Sequence, residues 1–115
     1  MPSVFSLADT IAASASLGSG VNINGLDVTG ILMPSGWDTA AITLQYSPDG
    51  TTWSNVYDQF GTEVTIQAAA SRYIALPPSL LAGVGWLKLR SGTSGSAVNQ
   101  TAARTVTWVV RNYGR

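Results

Sequence analysis

Cysteine and histidine are both absent from the 115 residues. The first absence excludes disulfides, thiolate metal sites and a cysteine nucleophile. The second removes the commonest general base, the commonest zinc ligand and the usual sensor of pH near neutrality. Charge is scarce as well, at 10% of residues against about 25% in an ordinary soluble domain. Six Lys and Arg balance six Asp and Glu, so the chain has no basic excess, and neither nucleic acid nor a membrane surface is expected as a partner. No run approaches the roughly 18 apolar residues that would span a bilayer. The start, Met1-Pro2-Ser3-Val4-Phe5, lacks a basic segment followed by a long apolar run, so no secretory signal is expected.

In place of charge stand 25 Ser and Thr, 14 Ala and 12 Gly. Few charges that sum to zero leave an isolated monomer poorly soluble, and a surface partly covered by neighbours is expected. The length suits one domain, residues 1–115, with room for a real core.

The hydrophobic pattern is one of short strands separated by turn residues. Residues 40–47 alternate, with Ile42, Leu44 and Tyr46 on one face and Thr43, Gln45 and Ser47 on the other. Pro48-Asp49-Gly50 then turns the chain into a strand over 52–57, and Asp58-Gln59-Phe60-Gly61 closes a hairpin into 62–66. Further strands are expected over 26–33, 72–76, 84–91 and 104–112, the last with Val106, Trp108 and Val110 on one face. Pro77-Pro78 stops one strand, Ser79 to Gly83 suits a helical turn with Leu80 and Leu81 as a plug, and Ser91 to Ser96 reads as a loop of small residues. The first 25 residues are patterned less clearly, with Thr10–Ala15 and Val21–Asn24 as edge strands. About eight strands without a long helix point to an all-β fold, a single antiparallel β-sandwich of jelly-roll type.

Four Trp raise the question of sugar stacking. Trp108 alternates with valines and belongs to the core. Trp86 is out of step with Leu87 and Leu89 and should face away from them. Trp53 follows the Asp49-Gly50 turn and should pack over that hairpin. Trp37, after Pro34-Ser35-Gly36, is the best candidate for an exposed ring. The carboxylates Asp9, Asp27, Asp38, Asp49, Asp58 and Glu63 show no spacing that singles out a catalytic pair or a calcium site, and most sit where Asp favours turns. The loop from Arg90 to Gln100, with Arg104 just beyond, is the densest polar stretch. It could suit a saccharide or peptide site, but it reads first as a hairpin loop whose Asn99 and Gln100 satisfy backbone groups and whose Arg90 and Arg104 pair with Asp side chains. Gly18-Ser19-Gly20 lacks the Lys of a phosphate loop, and the serines have no base. No catalytic residue, cofactor or metal is expected.

Two stretches carry a resemblance. Met33-Pro34-Ser35-Gly36-Trp37-Asp38 running on to Tyr46-Ser47-Pro48-Asp49-Gly50-Thr51-Thr52-Trp53 is one. Leu87-Lys88-Leu89-Arg90-Ser91-Gly92-Thr93 with Asn99-Gln100 and Arg104-Thr105 is the other. Together they resemble a family of small proteins encoded in the structural clusters of tailed phages and prophages, chiefly of alphaproteobacterial hosts, over roughly residues 25–112. The resemblance implies a virion-located structural protein, decorating a capsid or forming the base of a head spike or fibre, and binding capsid or other virion proteins and further copies of itself as a homo-oligomer. Tyr46 to Trp53 with Arg72-Tyr73-Ile74 also looks like the discoidin or galactose-binding jelly roll, which implies the alternative of a module for a host-surface glycan. Its site candidates here are Trp37, Arg90, Asn99, Gln100 and Arg104.

Overall fold

The structure is a computed structural model that describes residues 4–77, 80–81 and 85–112. Ten strands follow in order: β1 (Val4–Ile11), β2 (Val21–Asn22), β3 (Leu26–Leu32), β4 (Ile42–Ser47), β5 (Ser54–Asn55), β6 (Thr65–Ile66), β7 (Tyr73–Ala75), β8 (Trp86–Thr93), β9 (Ser96–Ala97) and β10 (Arg104–Asn112). They form two antiparallel sheets, one in the order β1-β10-β3-β7 and the other in the order β2-β8-β4-β5. The chain is an all-β sandwich, as the alternation predicts.

The expected strands are present among the described residues, with two local differences. The edge beside β4 is interrupted: β5 and β6 both pair with β4, and a small hairpin bulges out between them, closed by the Tyr57–Glu63 bridge. The expected loop over Ser91 to Ser96 is shorter than predicted, because β8 runs on to Thr93 and pairs with β9. The expected edge strand over Thr10–Ala15 lies earlier, at β1, whereas Val21–Asn22 falls inside its predicted range. The turn expected over Ser79 to Gly83 lies mostly outside the described residues. Of its two leucines, Leu81 is buried and Leu80 is exposed.

Alternation sets the core. Val106, Trp108 and Val110 of β10 and Val28 and Ile31 of β3 face Ile42 and Leu44 of β4 and Leu87 and Leu89 of β8, all buried. A bulge between β10 and β3, at Val109/Val110, leaves Thr29 as the extra residue, and its hydroxyl donates to the Val109 carbonyl at 3.0 Å. The turn after β4 is fixed by Asp49, whose carboxylate accepts the N–H groups of Thr51 (2.9 Å) and Thr52 (3.1 Å). Gly50 there has φ +81°, and a Cβ on it would stand 3.0 Å from the Trp86 ring, so this position needs glycine twice over.

Candidate functional site

The five candidate residues do not form one exposed site. Trp37 is only 6% exposed, which corrects the expectation of an exposed ring. Its loop turns inward, the indole joins the core, and Nε1–H donates to the Ala40 carbonyl at 3.1 Å. Gln100 is fully buried. Its Oε1 accepts the Asp38 N–H at 2.8 Å, and its Nε2 donates to the Asp38 carbonyl at 3.2 Å and to Ser91 Oγ at 2.9 Å. A primary amide with both ends engaged in this way is a clamp between two loops, with little left for a ligand. Arg104 completes the cluster, donating through Nε to Gln100 Oε1 at 3.3 Å and through Nη2 to Asp38 Oδ1 at 3.2 Å. Asp38 also accepts the Thr101 N–H at 2.6 Å. That main-chain bond, then the Thr101 hydroxyl and Arg104, hold its carboxyl below the usual range. Asn99 is exposed.

Arg90 lies apart, on the outer face of the other sheet, and is 6% exposed. The hairpin between β5 and β6 folds over it. Its Nη1 donates to Thr43 Oγ1 at 3.2 Å and to Glu63 Oε2 at 3.3 Å, and its Nη2 donates to Asn55 Oδ1. Arg90 is therefore paired with a Glu and Arg104 with an Asp. Neither guanidinium is presented to a sugar.

Sequence reading missed Asp9. It sits on the core-facing side of β1, in line with Phe5, Leu7 and Ile11, and is fully buried. Its Oδ1 accepts the N–H groups of Ser19 (2.7 Å) and Gly20 (3.0 Å), and its Oδ2 accepts the N–H of Leu89 (3.1 Å). Gly18 lies so close that a Cβ on it would meet Asp9 Oδ1 at 2.4 Å. The signal was available, since period two through Leu7 and Ile11 points Asp9 inward.

The other carboxylates are also engaged. Asp27 pairs with Arg111 at 3.7 Å, and Asp49 and Asp58 cap turns. The bonds from Thr52, Thr51 and Ser47 bring the Asp49 pKa down to about 2. No group of three His, Cys, Asp or Glu converges among the described residues.

Of the remaining tryptophans, Trp86 lies as expected and Trp53 does not. Trp86 points away from Leu87 and Leu89 as predicted, and it is Trp86 that packs against the Gly50 turn. Trp53 instead reaches across the sheet to Gly20 and lies over Lys88, with Nζ 4.2 Å from the ring centroid.

Among the described residues, the outer face of the β1-β10-β3-β7 sheet is a broad, largely neutral surface. Strand register gives two rows across it: Ala8, Thr107, Leu32 and Tyr73, then Ser6, Val109, Gly30 and Ala75. Leu32 and Tyr73 are each 49% exposed. The ion pair of Asp27 and Arg111 lies at the end of the face, in the row beyond Ser6 and Val109.

No protein-family model, curated protein or solved structure matches the chain.

Proposed function

We propose that this chain is a structural component of a phage particle, packed non-covalently against capsid proteins and neighbouring copies. The neutral outer face of the β1-β10-β3-β7 sheet is the observation that carries this reading. Its two rows hold no charge to desolvate, and its Thr, Val, Leu and Tyr side chains combine apolar area with hydroxyls that can find partners across a contact. The phage setting rests on the resemblance of the Met33–Trp53 and Leu87–Thr93 stretches. Binding only to an assembled lattice would stabilise that lattice by mass action.

We also read the strand order as a jelly roll. Consecutive strands alternate between the sheets from β1 to β4 and again from β6 to β8, and β10 returns beside β1, as in two wrapped Greek keys.

A glycan-binding role has support on the other sheet. The half-buried Trp53 ring packs with Lys88, and Gln45 and Asn55 share the row of Lys88. Aromatic rings and amides are the groups that hold sugars.

The test is to label particles from cells carrying the gene with an antibody to this chain and image them. Labelling of the head supports the proposal. Particles that lack the chain overturn it, and binding to a glycan array that Trp53→Ala abolishes favours the second reading.

A further inference from the structure

We infer that β1 pairs edge to edge with β1 of a second copy, antiparallel and centred on Ser6. β1 is the outermost strand of its sheet, bonded along all eight residues to β10 on one side only. In an antiparallel ladder every second residue directs its N–H and C=O away from its partner strand. Among the described residues, none of the backbone bonds formed outside the ladders involves residues 4–11. Exposed edges are normally guarded by Lys, Pro or a bulge. Val4-Phe5-Ser6-Leu7-Ala8 has neither residue, its register on β10 is unbroken, and the inward-pointing charge of β1, Asp9, lies beyond this stretch.

The side chains show the same incompleteness. Phe5 and Leu7 lie on the core-facing side of β1, yet Phe5 is 39% exposed and Leu7 only partly buried, while Val4 is 69% exposed. The facing sheet ends at β2, two residues long, and while Leu7 still packs against the core, Phe5 is left open. The stretch from Val4 to Ala8 is thus apolar, open and without charge.

A second copy of this chain fits that edge because the stretch is its own complement. A two-fold axis at Ser6 sets Phe5 against Leu7 of the second copy, Val4 against Ala8, and Ser6 against Ser6. Each pair lies on one face, as strand pleating requires, and no charge meets its own copy. Centring the pairing on Leu7 instead would set Asp9 against Phe5, and Asp9 is already held inside by Ser19, Gly20 and Leu89. The pairing also extends the neutral rows of the outer face into an eight-stranded sheet. A five-residue ladder falls short of the roughly 800 Å² per partner of a stable interface, so the dimer is reversible. This names the partner for the assembly reading above and rests on it for its biological use.

The test uses sedimentation of the full chain over a range of concentrations, with engineered cysteines in a chain that has none. A concentration-dependent dimer is expected, weakened about tenfold or more by Ser6→Lys, which sets two like charges face to face. Ser6→Cys should oxidise to a cross-linked dimer much faster than Thr105→Cys, which lies on the same face away from the axis. A chain that stays monomeric throughout, with both cysteines reacting alike, overturns the inference. So does a dimer that ignores Ser6→Lys but is lost in Leu32→Lys, although that outcome leaves the assembly reading standing. A Ser6-centred dimer from a chain missing from particles leaves the pairing standing and removes the assembly reading.

Discussion

The carboxylate of Asp9, on the edge strand of one sheet, accepts the main-chain N–H of Leu89, on a central strand of the other, at 3.1 Å. One side chain thereby ties the two layers and, through Ser19 and Gly20, fixes the connection between them. Replacing it with an apolar residue of similar size leaves those N–H groups buried without an acceptor. Asp9→Leu should therefore lower stability by about 3–5 kcal/mol, read by urea denaturation. Asp9→Asn keeps one acceptor oxygen but turns an NH2 donor toward an N–H group, so it should recover only part of that loss. An Asp9→Leu variant as stable as the parent would show that the bonds to Ser19, Gly20 and Leu89 do not matter.

The buried pair of Arg90 and Glu63 yields a second prediction. Side-chain exposures of 7% and 14% mean that removing one partner strands a charge away from water. Glu63→Gln should cost about 3 kcal/mol. Arg90→Met in the same chain should restore much of that, because no uncompensated charge remains. The loss should be local as well. Hydrogen exchange at Gly61, bonded to Asp58 at 3.1 Å, should speed up in Glu63→Gln before exchange in β8 does.

These two sites mark where the sequence was legible and where it was not. Ile42 and Leu44, and the Val106, Trp108 and Val110 row, were readable because period two against polar neighbours requires only the local chain. The turns at Asp49-Gly50 and Asp58–Gly61 were readable because their side chains bond within four residues. Trp37 was misplaced, and the cover over Arg90 went unread, for the opposite reason. A tryptophan after Pro34-Ser35-Gly36 looks exposed until the fold turns its loop inward. Arg90 does point away from the core, but a hairpin more than twenty residues earlier in the chain closes over it. Gln100 satisfies backbone groups as the hairpin reading expects, but its partners, Asp38 and Ser91, belong to other elements and could not be named from the local chain. Distant contacts leave no local period.

Trp108 gives a third prediction. Its ring is fully buried, yet Nε1 has no hydrogen-bond partner among the described residues. An unpaired buried donor subtracts from the gain of burying the ring. Trp108→Phe removes that donor while leaving a modest void, so the two effects oppose one another. The variant should lose about 2 kcal/mol or less, against about 3–5 kcal/mol for Trp108→Ala. Denaturation midpoints of the two proteins would decide it, and a Phe variant as unstable as the Ala variant would refute the compensation.

Acid provides the last prediction. The N–H groups of Thr52 and Thr51 hold the Asp49 carboxyl at about 2, below its ordinary 3.8, and Asp38 is shifted the same way by Thr101. A carboxyl whose folded pKa lies below its unfolded value adds stability above the unfolded value. That contribution disappears as pH falls through the folded one. The melting temperature should therefore hold steady down to about pH 4 and drop between about pH 4 and pH 2. Asp49→Ala should melt lower than the parent at pH 6 and show a shallower acid slope, since the turn then has no charge to lose. Parallel melting curves for the two proteins across that window would mean that the Asp49 turn contributes nothing to the acid response.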